Sequence, residues 1–171
     1  MKPTAQEIIE SLGLKPHPTC GFTNETYLSN LRLPNAVLPA GYQGDRILGG
    51  FLYFLVTADN QIKLHRIRSD QMYHHYFGDP LEVLLLYPDG KSDVKIIGHD
   101  LTAGMRPQLL IPGGTFHASR MAVGSSYALL GTSVWLRAEP ADVEFADLTM
   151  LAKLYPDFAN THSTFFGGRA T

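Results

Sequence analysis

Cysteine is almost absent from this sequence, since Cys20 is the single thiol among 171 residues. No disulfide can therefore form within the chain, and disulfides are the usual mark of a secreted protein. The amino-terminal stretch carries Pro3, Glu7 and Glu10, which is unlike the basic and apolar regions of a signal peptide. We therefore expect a cytoplasmic protein.

An excess of charge of one sign is also lacking, because 14 basic and 16 acidic side chains give a net charge of -2. Proteins that bind nucleic acid usually carry a basic stripe. The longest apolar run, residues 49–56, is far shorter than the roughly 20 residues that cross a bilayer. We expect neither a nucleic acid nor a membrane as a partner.

Turn-forming and aromatic residues are abundant, with 16 glycines, 11 prolines, 8 tyrosines and 9 phenylalanines. Short apolar runs alternate with Asp-Gly and Pro-Gly turns, and no helical crossover of 10–15 residues separates them, which predicts an antiparallel sandwich or barrel. The strands are predicted at residues 22–28, 51–56, 61–67, 72–77, 81–87, 94–97, 108–111, 115–121 and 127–136. Residues 61–67 are expected to form a hairpin with 51–56, and 34–44 a loop long enough to act as a lid.

Helical patterns stand near the two ends of the chain. The stretch Thr4-Ala5-Gln6-Glu7 has the form of a capping box before an apolar helical pattern, which predicts a helix over residues 4–12. A second short helix is predicted at 148–155, ended by Pro156. The last ten residues are polar, and we expect them to be loose.

The histidine-rich stretch 65–78 lies in the middle of the chain. Because side chains alternate between the two faces of a strand, Tyr73, His75 and Phe77 are predicted on one face. Met72, His74 and Tyr76 fall on the other. One face must meet a core or a cavity, and alternation leaves open whether it is that of His74 or of His75.

Two spaced motifs resemble those of the cupin superfamily, G-x5-H-x-H-x3,4-E-x6-G and G-x5-P-x-G-x2-H-x3-N. In this sequence they read Asp59, His65, Ile67, Gln71, Gly78 and Gly104, Pro112, Gly114, His117, Met121. Residues 65–81 are also similar to HRIKSDEIWHYYAGDPL, the typical wording of the small single-domain cupin-five family, which is of largely unknown function. The similarity runs in order over residues 6–135.

The resemblance implies a fold and an assembly. The fold is an all-β cupin jelly roll, or double-stranded β-helix, with a short helix near each end. Residues 1–171 would form a single domain, with an amino-terminal helix and connector at 1–21, the jelly roll at 22–137 and a carboxy-terminal extension at 138–171. The resemblance also implies a homodimer.

The resemblance further indicates which residues would hold a metal. Cupins that bind a metal use two histidines and a glutamate of the first motif and the histidine of the second. This chain has His65 and His117 but Ile67 and Gln71 at the other two places. Isoleucine cannot bind a metal, and a neutral amide replaces a carboxylate poorly. We expect no cofactor; a divalent metal, if bound, would use His65, Gln71 and His117.

Without a metal, the chain resembles the nucleotide-sugar 3,5-epimerases of this superfamily, which use a histidine base and a tyrosine acid. The resemblance implies a small-molecule-binding isomerase or epimerase that acts on a sugar or a nucleotide-sugar-like substrate. An imidazole suits the base because its pKa lies near neutrality. The candidate base is His65 and the candidate acid Tyr73. Contacts to the polar ligand are assigned to Arg46, Gln71, His75, His117 and Ser119.

Two other functions stay open: a metabolite-binding protein without catalysis, and a metal-dependent oxygenase or isomerase. Single residues have alternatives too. Arg46 fits a surface ion pair as well as a substrate contact, and strand alternation turns Arg66 and Arg68, which are possible anion ligands, away from His65. Cys20 is expected to be an inert thiol near a helix end, and no role is assigned to His17 or His99.

Overall fold

The computed structural model describes residues 2–122, 124–156 and 165. The described residues form the helices α1 (Ala5–Ser11) and α2 (Leu148–Leu154), with single 3-10 turns at Asn35–Val37 and Pro140–Asp142. Their strands are β1 (Lys15–Pro16), β2 (Phe22–Leu28), β3 (Arg32–Leu33), β4 (Arg46–Ile47), β5 (Gly50–Thr57), β6 (His65–Arg66), β7 (Asp70–Gly78), β8 (Leu81–Leu86), β9 (Ser92–Ile97), β10 (Gln108–Ile111), β11 (Phe116–Met121), β12 (Tyr127–Trp135) and β13 (Glu144–Phe145).

Most of these strands form two sheets. One has the order β1-β2-β5-β12-β7-β10 and the other β13-β6-β11-β8-β9, while β3 pairs with β4. Every pairing between these strands is antiparallel. The predicted all-β jelly roll with a short helix near each end is confirmed. Neither α1 nor α2, the helices of the described residues, has the length and apolar character that crossing a bilayer requires.

The main core lies between the two sheets. Phe54 and Leu130 from the first sheet and Val83 and Leu85 from the second belong to one buried cluster. Burying apolar side chains between two layers is the main source of stability of such a fold. Tyr73, which is 2% exposed, belongs to this cluster and also lines a cavity between the two sheets.

The helices cover apolar outer faces of the sheets. Ile8 of α1 packs with Leu55 and Leu129 of the first sheet, and Leu151 of α2 with Leu84 of the second. The first helix begins as predicted, because the Thr4 hydroxyl accepts a hydrogen bond from the amide of Glu7 and the Glu7 carboxylate accepts one from the amide of Thr4. A capping residue of this kind stabilises a helix by about 1 kcal/mol.

The prediction of loose terminal residues falls, except for Phe165, outside the described part of the chain. Phe165 is 8% exposed and packs against the cluster that covers the second sheet, so at this position the prediction is wrong.

The predicted hairpin between residues 51–56 and 61–67 is also wrong. Both edges of β5 are occupied, one by β2 and the other by β12. His65 and Arg66 instead form β6, which pairs with β11 and β13 in the opposite sheet. The chain therefore crosses from one sheet to the other after the turn at Asp59-Asn60, and this crossing brings His65 to the interior.

Alternation along β7 follows the prediction up to His75. Tyr73 and His75 are 2% and 4% exposed, whereas His74 is half-buried and contacts the hydroxyl of Ser133. A bulge opposite Leu129 and Leu130 then shifts the register, so that Phe77 pairs with Leu129. Phe77 is consequently 39% exposed, and the prediction that it shares the face of Tyr73 and His75 is wrong.

The turn Pro112-Gly113-Gly114 brings β11 against the chain after β6. The amide of Gly113 donates to Oδ1 of Asp70 and that of Gly114 to the carbonyl of Ile67, each at 2.7 Å. A side chain at Gly113 would collide with the carbonyl of Arg68, and Gly114 has a φ of +77°, which favours glycine. The turn thus fixes the register in which His117 stands opposite His65.

Candidate functional site

A cavity of about 380 Å³ opens between the two sheets. Its polar surface includes His65, Gln71 and Tyr73, and most of its other lining residues are apolar. At the rim, Arg137 and Glu25 form an ion pair at 3.1 Å. The volume lies within the range of small-molecule sites, which are typically apolar clefts with a few placed polar groups.

Two imidazoles that are distant in the sequence meet beside this cavity. His65 of β6 and His117 of β11 are paired residues of adjacent strands, and their ring centroids lie 4.4 Å apart. His65 lines the cavity, whereas His117 is completely buried behind it.

Hydrogen bonds fix the proton of His117. Its Nδ1 lies 3.3 Å from the carbonyl oxygen of Thr115, so the proton sits on Nδ1 and is donated to that oxygen. Nε2 then accepts from the Tyr73 hydroxyl at 3.0 Å and from the Gln71 amide at 3.3 Å. Burial lowers the pKa of His117 well below its ordinary value, and the neighbouring His65 lowers it further. His117 is therefore neutral at physiological pH.

His65 has the same tautomer but a free second nitrogen. Its Nδ1 lies 2.7 Å from the carbonyl oxygen of Lys63 and donates to it, which leaves Nε2 with a lone pair. Among the described residues, Nε2 has no hydrogen-bond partner. Burial lowers the pKa of His65, the Lys63 carbonyl partly offsets this effect, and His17 lowers the pKa again. An imidazole of this kind can accept a proton from a bound molecule.

The hydrogen bond of the Tyr73 hydroxyl does not suit a residue that must donate its proton to a ligand. Its hydroxyl proton is directed to Nε2 of His117, and burial raises its pKa well above the ordinary value, with a further contribution from Cys20. Gln71 likewise donates to His117. Both side chains line the cavity, so Tyr73 can offer its oxygen to a ligand, and Gln71 can offer its carbonyl oxygen and its second amide N–H.

Four of the five predicted ligand contacts, Arg46, His75, His117 and Ser119, are not among the residues that line this cavity. Arg46 is 3% exposed and forms ion pairs with Glu139 at 3.0 Å and Asp142 at 3.4 Å. Arg46 is thus engaged in a buried ion pair, which differs from both roles expected for it.

His75 and Ser119 are engaged in internal hydrogen bonds. Nε2 of His75 donates to the carbonyl of Asp79 at 3.0 Å, and its ring stands against His99 with centroids 4.8 Å apart. The hydroxyl of Ser119 accepts from the amide of Ile62 at 3.1 Å. Both residues therefore support the strands rather than the cavity wall.

Arg66 and Arg68 lie outside the cavity, as strand alternation predicts. Arg66 donates to both carboxylate oxygens of Glu144 at 2.8–3.0 Å. Arg68 and the loop residue Tyr42 line a separate pocket, where the Tyr42 hydroxyl contacts that of Ser69. The loop over 34–44 thus contributes to a pocket other than the one that contains His65.

His17 and Cys20 are among the residues of the wall that sequence reasoning missed. Cys20 does not lie near a helix end but forms a bridge with Ile62, and burial raises the pKa of its thiol to about 11. At that pKa the thiol is unreactive at neutral pH, as expected. The available signal for His17 was its place between Pro16 and Pro18, which restrict the backbone.

The residues present do not fit a metal centre. The side chain of Ile67, which lines the cavity, is apolar, and Nε2 of His117 already accepts from Tyr73 and Gln71. Within residues 2–122, 124–156 and 165, no three His, Cys, Asp or Glu side chains form a group that could hold a metal ion.

Comparisons with known proteins agree with this architecture. A family model described as Cupin_5, Cupin superfamily (DUF985), matches residues 6–146. No curated protein matches the chain. A hypothetical protein from Leishmania major is similar in structure, with a TM-score of 0.85, 24% identity and coverage of 96% of this chain and 99% of that one.

Two further solved structures extend the comparison. A Shewanella oneidensis protein has a TM-score of 0.81 and 27% identity, covering 98% of this chain and 100% of its own. A cupin-2 domain from Rhodospirillum rubrum has a TM-score of 0.57 and 14% identity, with 91% of both chains covered. The Leishmania major and Rhodospirillum rubrum structures, which are less than 25% identical to this chain, show a shared fold.

Proposed function

The chain belongs to the Cupin_5 family of the cupin superfamily, a small-molecule-binding fold, and we propose that its cavity binds a carbonyl compound on which His65 performs acid-base chemistry. In this proposal, His65 removes a proton from the carbon next to the carbonyl group and returns it. The reaction class is a metal-independent isomerisation or epimerisation.

The observation that carries the proposal is the tautomer of His65. The Lys63 carbonyl at 2.7 Å holds the proton on Nδ1, so Nε2 carries the lone pair that a base needs. The bond to Lys63 also persists when Nε2 takes up a proton, and it then stabilises the charged ring. A positioned base of this kind contributes about 100-fold or more to a proton transfer.

The lining of the cavity supports a particular shape of ligand. Phe51, Phe54 and Phe145 supply aromatic walls, and His65 and Gln71 are among the polar groups of the lining. This arrangement favours a molecule with an apolar or aromatic body and a carbonyl group at one end. A sugar or nucleotide-sugar substrate stays a prediction from the resemblance, and it is included in the test for that reason.

The proton transfer is balanced without any co-reactant. Nε2 of His65 takes the proton from the α-carbon, and the electron pair of the C–H bond moves to the carbonyl oxygen to give an enolate. Return of the proton from His65 to the original face of the enolate restores the substrate, with exchange of hydrogen with solvent, whereas its return to the opposite face after the enolate reorients in the cavity gives the epimer. The acid role predicted for Tyr73 would require its hydroxyl to leave Nε2 of His117, where it donates at 3.0 Å.

The test is exchange of α-hydrogen for deuterium in D2O, followed by NMR. The probes are 2-tetralone, phenylpyruvate and fructose 6-phosphate. We expect the wild type to exchange at least one probe, His65→Gln to lose about 100-fold or more, and the exposed control His99→Gln to match the wild type. Equal rates for His65→Gln and wild type would contradict the assignment of the base.

A metabolite-binding protein without catalysis is the second candidate. It is favoured by the Tyr73 hydroxyl, which is already engaged with His117 and has a raised pKa, so that it is a poor proton donor to a ligand. A ligand at 100 times its Kd adds about 2.7 kcal/mol to the free energy of unfolding. Such a stabilisation by a probe that shows no exchange would favour binding alone.

We also propose the homodimer that the resemblance implies. Tyr27, Phe51 and Trp135 are 53%, 44% and 47% exposed, and the rings of Tyr27 and Phe51 lie 6.0 Å apart. Exposed aromatic side chains in a group are typical of an interface. Sedimentation equilibrium should give twice the mass of one chain, and Phe51→Glu should reduce it to one. A cytoplasmic location and the absence of a nucleic-acid partner stay predictions.

A further inference from the structure

We propose that His17 is a second catalytic residue of this cavity, which donates a hydrogen bond from Nε2 to the carbonyl oxygen of the substrate while His65 moves the proton at carbon. The inference rests on the proposed function. It assigns the stabilisation of the enolate oxygen to a residue that neither motif contains.

The first support is the hydrogen bonding of His17. The backbone amide of Thr19 donates to Nδ1 of His17 at 3.3 Å, so Nδ1 must carry a lone pair and the ring proton must sit on Nε2. The Thr19 hydroxyl lies 3.1 Å from the same nitrogen and 3.0 Å from the thiol of Cys20. The consistent arrangement is that the Cys20 thiol donates to Thr19 and the Thr19 hydroxyl to His17.

The second support is position. His17 and His65 line the same cavity, and His17 lies near enough to lower the pKa of His65. His65 is 4% exposed, whereas His17 is exposed at the cavity. A ligand that enters the cavity therefore meets both imidazoles, which carry opposite tautomers: His17 offers a donor at Nε2, and His65 offers an acceptor.

The third support is the charge of His17. Partial desolvation at the cavity lowers the pKa of His17, and protonation of Nδ1 would bring two N–H groups, those of His17 and Thr19, against each other. Both effects favour the neutral form of His17. A neutral imidazole that acts as the electrophile, with its pKa lowered by backbone amides, is known from triosephosphate isomerase.

These features give His17 a defined part in the reaction. When His65 takes the α-proton, negative charge develops on the carbonyl oxygen, and the hydrogen bond from Nε2–H of His17 becomes stronger than it was in the ground state. A preorganised donor of this kind contributes about 100- to 1000-fold to the rate. The proton of His17 stays on Nε2, so no proton or electron is left unbalanced.

The experiment compares His17→Ala and His17→Gln with the wild type in the deuterium exchange of 2-tetralone. His17→Ala should lower kcat by about 100-fold with little change in KM, as loss of a transition-state contact does. His17→Gln keeps an N–H donor and should recover part of the rate. Equilibrium binding of 2-naphthol, a stable analogue of the 2-tetralone enol, should weaken in His17→Ala more than binding of 2-tetralone does.

The outcomes separate this inference from the proposed function. If His65→Gln abolishes exchange while His17→Ala exchanges like the wild type, the role of His17 is overturned and that of His65 stands. If His65→Gln exchanges like the wild type, the proposed function fails. A 15N NMR spectrum in which the proton of His17 sits on Nδ1 would overturn the inference whatever the rates are.

Discussion

His65 and His117 face each other across β6 and β11 with their ring centroids 4.4 Å apart. Each ring donates from Nδ1 to a backbone carbonyl, of Lys63 and Thr115 respectively. Burial and the short separation both disfavour a positive charge on either ring. The pair is therefore neutral, and only His65 reaches the cavity.

The first prediction concerns the pH dependence of stability. The folded-state pKa of His117 lies well below its ordinary value of 6.5. Below about pH 6.5, His117 is therefore protonated in the unfolded chain but not in the folded chain. The free energy of unfolding should therefore fall as the pH drops from 7 to 5. At full slope one such group contributes about 1.4 kcal/mol per pH unit.

The matched comparison is His117→Gln, measured by urea unfolding at each pH. The free energy of unfolding of the variant should depend less steeply on pH between 7 and 5, because the variant lacks the imidazole of His117. The other groups that titrate in this range are common to both proteins, so their contribution cancels in the comparison. Parallel curves for wild type and His117→Gln would show that His117 ionises as freely in the fold as outside it.

The second prediction concerns Tyr73. Tyr73→Phe removes the hydroxyl that donates to Nε2 of His117 at 3.0 Å and leaves the longer contact from Gln71. Loss of a buried hydrogen-bond partner costs about 1–3 kcal/mol. The same change at Tyr27, which is 53% exposed, should stay within about 0.5 kcal/mol of the wild type. Equal unfolding free energies for the two variants would contradict the buried hydrogen bond.

The third prediction separates a structural from a ligand-binding Arg46. Arg46→Met removes the buried guanidinium that pairs with Asp142 at 3.4 Å and leaves this carboxylate, whose side chain is 3% exposed, with the more distant Arg68 at 3.9 Å. Breaking a buried ion pair in this way costs about 3–5 kcal/mol. Arg32→Met, at an exposed arginine, is the control and should change stability little.

Ligand binding provides the second readout for Arg46. Because Arg46 is not among the cavity-lining residues, the folded variant should bind 2-naphthol with the wild-type Kd. A variant with wild-type stability but tenfold weaker binding would reverse the assignment.

The fourth prediction concerns the metal. The double substitution Ile67→His with Gln71→Glu supplies the two ligand types that the first motif lacks beside His65 and His117. Three histidines and a carboxylate suit a divalent transition metal. We expect stoichiometric Zn²⁺ binding by calorimetry in the double variant and none in Gln71→Glu alone. If the wild type bound stoichiometric Zn²⁺ with the affinity of the double variant, the conclusion that Ile67 and Gln71 do not suit a metal site would be wrong.

Much of the fold was predictable because local patterns decide it. The predicted strand 22–28 is β2, and the capping box at Thr4 begins α1. The hairpin of 51–56 with 61–67 failed because pairing depends on distant strands: β2 and β12 occupy both edges of β5. Phe77 was assigned to the wrong face because a bulge opposite Leu129 depends on the partner strand.

The site was predictable only in part, for a related reason. The motif spacing indicated His65 and His117, and in the structure the centroids of their rings lie 4.4 Å apart. Arg46 forms ion pairs with Glu139 and Asp142, and no local pattern predicts them because these residues lie far along the chain. His17 reaches the wall through a connector whose course is determined by long-range packing, and its place between Pro16 and Pro18 indicates only that the connector is extended.

The most direct measurement is the 15N NMR spectrum of the His65 ring at pH 7, assigned by comparison with His65→Gln. The structure predicts a neutral ring with its proton on Nδ1, where the Lys63 carbonyl accepts at 2.7 Å, and an unprotonated Nε2 that responds when 2-naphthol is added. A proton on Nε2, or a charged imidazolium at this pH, would contradict the assignment of His65 as the base of the cavity.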